Sequence, residues 1–162
     1  MLDGKGQEAD ALAAAEPRAD YDGRQHEFVH VDRARVAVSA GHGHLVFFEE
    51  SDASLAFRSD FLRSRNLIAK DLVVVDVKGS SMEPTITDGA VLLVNRAEKE
   101  IVPNRVYAFR LDGELLVKRL RRRGEMLVAT SDNPAYPDVT IKTETSPDFE
   151  IIGRAVWMGG SL

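Results

Sequence analysis

No cysteine occurs among the 162 residues. That removes any disulfide framework, any thiolate nucleophile and any Cys-based zinc or iron–sulfur site, and it suits a reducing compartment. Long apolar runs are missing too: nothing approaches the about eighteen continuous apolar residues of a membrane-spanning helix. The longest, such as Leu72–Val75 and Ala90–Val94, have the length of strands. The opening residues MLDGKGQEAD carry acids and glycines where a secretory leader needs a basic patch and an apolar stretch, so the expectation is a soluble, cytoplasmic protein. Positive charge is in deficit, with 21 Lys and Arg against 26 Asp and Glu and a net charge of -5. Bulk electrostatics therefore recruit no polyanion, and stand-alone DNA binding is a poor first reading. What is present is 44% hydrophobic and 29% charged, enough to bury a core in a single domain.

Residues 1–27 differ from the rest. They hold seven acidic and three basic residues, Gly4, Gly6, Gly23, Pro17 and the alanines Ala9, Ala11 and Ala13–Ala15. Lacking an apolar stripe to dock, this stretch reads as a flexible acidic, Ala-rich arm or linker, too short for a helix-turn-helix domain. From Phe28 the pattern becomes short apolar runs separated by Gly, Pro and Asp/Asn clusters: Arg35–Val38, Leu45–Phe48, Leu72–Val77, Ala90–Val94, Val106–Leu111, Glu114–Arg119, Met126–Thr130 and Ile151–Trp157. These are predicted strands. Asp112-Gly113 between VYAFRL and ELLVKRL supplies the positive φ values of a two-residue hairpin turn. Only Ser59–Arg65 looks helical, with Ser59 as its N-cap. Residues 28–162 are thus expected to form one mainly β domain.

The segment Gly79-Ser80-Ser81-Met82-Glu83-Pro84-Thr85-Ile86-Thr87-Asp88-Gly89 follows the apolar run LVVVDV. Two serines after a glycine at a strand exit stand where a hydroxyl clears the sheet and backbone N–H groups converge. A serine hydroxyl is a weak nucleophile without a base. Histidine occurs only at His26, His30, His42 and His44, with no evident carboxylate to orient any of them. Lysine serves instead when desolvation lowers its pKa. Among Lys70, Lys78, Lys99, Lys118 and Lys142, strand alternation places Lys118 on one face with Leu116 and Leu120. Other features read blandly. Asp88-Gly89 is a turn, Met82 and Pro84 shape the loop, and Arg121–Arg123 form a solvated strand end with Lys118-Arg119. His42-x-His44 lacks a third metal ligand, Ser131-Asp132-Asn133-Pro134-Ala135-Tyr136-Pro137 makes a rigid loop, and Trp157 is a core or dimer contact.

The serine motif followed by V-K-R-L resembles the Ser/Lys self-cleaving domain of LexA, of phage repressors of the cI type and of the mutagenesis protein UmuD, over roughly Val36 to Leu162. The resemblance implies the LexA/signal-peptidase-like complex β fold of short, highly bent strands with one short helix. It makes Ser81, directly before Met82, the nucleophile in preference to Ser80, and Lys118 the general base. Backbone N–H groups of Ser80 and Ser81 steady the oxyanion. The family's substrate is its own chain, and Ala40–Gly41 supplies the bond: a slim acyl residue and a glycine allow a loop to enter its own site.

The implied function is the C-terminal serine peptidase domain of a LexA/cI-like transcriptional repressor that cuts itself in response to DNA damage. Its implied partners are a second copy, as homodimer, and an activated RecA filament as co-protease. DNA would be reached only through a helix-turn-helix domain that this sequence does not contain; no cofactor, metal or membrane is implied. The sequence therefore reads as a chain trimmed to its C-terminal domain or as one like UmuD, with only a short arm ahead of the cut. The SDNPAYP loop favours the repressor branch. Two further readings stand beside it: a dimerisation module whose dyad is vestigial, and a signal-peptidase-like enzyme acting in trans.

Overall fold

The computed structural model describes residues 27–34 and 53–161. Nine strands and one short helix follow in the order β1 (Phe28–Asp32), β2 (Ser54–Arg58), α1 (Ser59–Ser64), β3 (Leu72–Asp76), β4 (Val91–Asn95), β5 (Val106–Leu111), β6 (Glu114–Arg123), β7 (Met126–Thr130), β8 (Val139–Lys142) and β9 (Glu150–Gly159), with a single 3₁₀ turn at Ala69–Asp71 before β3. The mainly β fold class expected from the sequence is what the chain adopts. Strands β1 and β2 pair with each other, and the other seven form an antiparallel sheet in the order β3-β4-β9-β5-β6-β7-β8. The runs predicted at Val106–Leu111 and Met126–Thr130 are strands with those bounds. The second hairpin arm runs past Arg119 to Arg123. Strands β1, β2 and β8 escaped the sequence reading. The runs Arg35–Val38 and Leu45–Phe48 lie outside the described residues.

Why LVVV is continuous rather than alternating is clear from what covers it. Val73 and Val75 pack with Val77, Met82, Ile86, Leu92 and Val94 on one face, while Leu72 and Val74 pack with Val31, Phe57, Leu62 and Leu93 on the other. Both faces of β3 and β4 are buried, so neither position has a polar alternative. Each such side chain removed from water contributes roughly 1.5–3 kcal/mol. A third cluster, Tyr107, Phe109, Leu120, Leu127, Ala129 and Ile141, fills beneath β5–β8. Trp157 packs edge-on to Phe57 at 5.3 Å between ring centres.

Ser59 is not the N-cap of α1. Arg58 takes that place without a side-chain capping bond, and Ser59 is the first helical residue. The Asp60 carboxylate receives the Phe61 N–H instead, at 2.8 Å, so the acid one residue later does the local capping work expected of the serine. The Asp112-Gly113 turn has φ values of 49° and 82°, the double positive φ of a type I′ turn, and it sets the register Leu111↔Glu114 through Val106↔Arg119.

Candidate active site

The cleft that holds Ser81 has a volume of about 850 Å³ and runs between the end of β3 and the start of β6. Asp76, Val77, Lys78, Ser81 and Met82 line one side and Glu114 to Lys118 the other. Two further pieces of chain close its margin: Arg33-Ala34 after β1 and Ala53 before β2. A smaller cavity of about 370 Å³, among Arg65, Arg105, Arg119 and Arg154, contains neither Ser81 nor Lys118.

The turn bearing Ser81 is built by its own backbone. Val77 donates its N–H to the Ala90 carbonyl at 2.8 Å and Gly89 donates to the Val77 carbonyl at 3.0 Å, so the segment between them is a closed loop on the rim of the sheet. Asp88 accepts the Gly79 N–H at 2.7 Å, which gives it the turn role read from the sequence. Met82 is 1% exposed and anchors the loop in the core, while Ser81, one residue earlier, opens to the cleft. The hydroxyl of Ser80 is taken: it lies 3.0 Å from the Tyr136 hydroxyl.

Lys118 is 8% exposed, deeper than a lysine on a solvated strand. Burial lowers its pKa below the ordinary lysine value, because desolvation penalises the ammonium. Its Nζ donates to Ser131 Oγ at 2.7 Å and lies 5.4 Å from the centre of the Tyr136 ring. The strand register explains the first contact. The last rung of the β6–β7 ladder is Arg119↔Thr130, and one step further places Ser131 across from Lys118. Next to it, the Arg119 guanidinium makes a two-pronged ion pair with Asp132 at 2.7 and 2.8 Å. Hydrogen bonds from Arg119 and then from Thr85 hold the Asp132 carboxyl below the usual carboxylate range, against the opposing effect of burial.

Ser81 and Lys118, far apart in sequence, therefore face one cleft. The loop SDNPAYP ties their two segments together: Ser131 meets Lys118, Asp132 meets Arg119 and Thr85, and Asn133 and Tyr136 meet Ser80. The composition of this segment predicts a rigid loop but carries no signal for those contacts, which depend on strand register. Arg121–Arg123 are exposed on β6. Of the histidines, only His30 is described, 3.1 Å from the Ser54 hydroxyl; His26, His42 and His44, like Ala40 and Gly41, lie outside the described residues.

Residues 33–156 match the family model described as Peptidase S24-like, a span that contains the whole cleft. The chain belongs to that family. Among curated proteins it is similar to an HTH-type transcriptional regulator of Haemophilus influenzae, with 31% identity over 129 residues, 78% of this chain and 54% of the relative. It is 32% identical over 84 residues to the LexA repressor of Mannheimia succiniciproducens, 51% of this chain and 39% of that one. Repressor protein CI of Enterobacteria phage phi80 is 27% identical over 125 residues, 75% of this chain and 52% of the phage protein. The chain spans about half the length of the Haemophilus regulator and of the phage repressor. These relatives bear out the LexA-like and cI-type resemblance and identify a repressor-type peptidase domain. No helix among the described residues is long and apolar enough to cross a membrane.

Proposed function

We propose that residues 28–162 form the self-cleaving serine endopeptidase domain of a LexA/cI-like repressor, with residues 1–27 an arm ahead of it, and that it cuts its own Ala40–Gly41 bond. The observation that carries this reading is the cleft itself: a serine whose hydroxyl has no partner among the described residues and a buried, pKa-lowered lysine share it. The flanks of the segment bearing Ala40–Gly41 share it too. Ala34 and Ala53 both line the cleft, and Arg33 N–H bonds the Ala53 carbonyl at 3.1 Å. Six residues reach at most about 20 Å fully extended, so the covalent chain keeps Ala40 within that radius of Ala34.

Neutral Lys118 takes the Ser81 proton as Oγ attacks the Ala40 carbonyl carbon, and the N–H groups of Ser80 and Ser81 receive the oxyanion. The C–N bond to Gly41 then breaks, its nitrogen leaving as an amine with the proton from Lys118. Water hydrolyses the Ala40 ester and restores Ser81. Self-association, stimulation by a RecA filament after DNA damage, and DNA binding through a separate helix-turn-helix domain complete the reading; the repressors and the HTH-type regulator among the relatives support its transcriptional setting.

The test is intact-mass spectrometry of the purified chain incubated from about pH 7 to about pH 10, where high pH neutralises Lys118 without an activator. Fragments Met1–Ala40 and Gly41–Leu162 are expected, with none from Ser81→Ala or Lys118→Ala. Gly41→Glu blocks the cut while leaving the pair intact. Residual cutting in Ser81→Ala refutes the nucleophile; an unchanged mass in the parent chain at every pH favours a domain that only dimerises.

A further inference from the structure

Beyond the serine and the lysine, the loop bearing Ser81 is held by a residue whose hydrogen bonds govern the peptide on which the proposed chemistry turns. Asn133 makes two contacts with the serine loop. Its Nδ2 donates to the Ser80 carbonyl at 3.0 Å, and its own backbone N–H donates to the Ser81 carbonyl at 3.0 Å. Its remaining side-chain atom, Oδ1, accepts the Ala135 N–H at 3.0 Å, which fixes the amide so that Nδ2 is the atom facing Ser80. Every polar atom of this side chain is thereby assigned a direction.

The consequence follows from peptide geometry. The Ser80 carbonyl and the Ser81 N–H belong to one peptide plane, and the only cis bond among the described residues is Glu83-Pro84. In a trans plane the N–H points opposite to the C=O. Tying the Ser80 carbonyl to Asn133 on one side therefore aims the Ser81 N–H to the other. The Ser80 carbonyl also accepts the Glu83 N–H at 3.1 Å, so both its lone pairs are committed and the plane has little freedom to rotate. Among the described residues the Ser81 N–H has no acceptor.

We propose that Asn133 is a positioning residue that aims the backbone N–H of Ser81 at the developing oxyanion. This rests on the self-cleavage reading above and adds to it a division of labour within one loop. Ser131 acts on the base, Asn133 on the oxyanion donor. Asn133 touches no reacting atom, so its removal slows the step without altering the titration of Lys118.

The experiment compares the full chain with Asn133→Asp and Asn133→Ala, measuring the first-order self-cleavage rate against pH and the ¹⁵N-resolved amide exchange of Ser81. Asn133→Asp keeps the Oδ1 acceptor for Ala135 and replaces the donor to Ser80 by an oxygen. A loss of about 10- to 100-fold in the plateau rate is expected for both, below the larger loss typical of deleting an oxyanion donor outright, with Ser81 amide exchange altered and, in the uncharged Asn133→Ala, the pH midpoint unmoved. A rate within about twofold of the parent (~0.4 kcal/mol), or in Asn133→Ala a loss accompanied by a shifted midpoint, overturns the positioning role while leaving self-cleavage standing. Should the parent chain itself fail to cut, self-cleavage fails; the amide exchange then decides for Asn133 alone, and an unchanged Ser81 amide overturns its part.

Discussion

At the scale of single residues, Lys118 is where the proposed chemistry and stability pull against each other. Its ammonium is buried beside apolar strands and its pKa is lowered. Between that lowered value and the ordinary lysine range the unfolded chain binds more protons than the folded one, so stability rises with pH through this window. Below it the full desolvation penalty is paid; above the unfolded value both states are neutral and the penalty is gone. Lys118→Met, which fills similar volume without charge, is therefore expected to stabilise the domain near neutral pH by about 1 kcal/mol after the loss of the Ser131 bond, a rise of roughly 2–4 °C in Tm. The gain should shrink as pH rises towards the unfolded lysine value. Thermal melts of the two proteins across pH check it, and a gap that widens with pH refutes the assignment. Lys118 was legible in the sequence because Leu116 and Leu120 share its face. Ser131 is not, since the apolar run that marks the strand ends at Arg119. Carried to Arg123, with Gly124-Glu125 as a two-residue turn, the same counting sets Lys118 opposite Ser131.

Among the elements, those read correctly from sequence are those whose pattern is enforced by burial. VYAFRL and ELLVKRL are joined by a dipeptide with one dominant conformation, and LVVV has no polar face to expose. The missed strands are at margins. In β8 only Ile141 is buried, and β1 shows one buried residue, Val31, so neither carries a periodicity strong enough to stand out. Strand β9 was seen but not its shape: its register shifts opposite Leu93/Val94 and again opposite Ala108/Phe109, two irregularities that bend it between β4 and β5. Gly153 sits in this bend, and a Cβ there would run into the Asn95 carbonyl. Backbone on the far side cannot move as a side chain could. Gly153→Ala is expected to cost about 3 kcal/mol, or roughly 6–12 °C in Tm. By contrast, Gly113→Ala meets nothing within 4 Å and costs only the strain of its positive φ, about 1 kcal/mol. Equal melts for the two variants would show that the Asn95 contact relaxes freely.

For the whole molecule, the decisive arrangement is one that no local pattern in the sequence discloses. Four stretches distant along the chain, around Ala34, Ala53, Ser81 and Lys118, converge on a single cleft. Motif spacing indicated that Ser81 and Lys118 belong together, but only by resemblance; the third partner, the SDNPAYP loop, joins them through contacts that depend on the register of β6 and β7. The position of Ala34 and Ala53 has a kinetic consequence. The proposed scissile bond, tethered within about 20 Å of the cleft by six residues of chain, would meet the serine at an effective concentration that dilution does not change. Self-cleavage at high pH is accordingly expected to be first order, with one rate constant over about a hundredfold range of protein concentration. Mixing Ser81→Ala chain, whose own bond is intact, with active chain should leave the variant uncut over the lifetime of the active protein. A rate that climbs in proportion to concentration, or efficient cutting of the Ser81→Ala chain in the mixture, would mean that the cleft takes its substrate from another molecule and that the tether at Ala34 serves the fold alone.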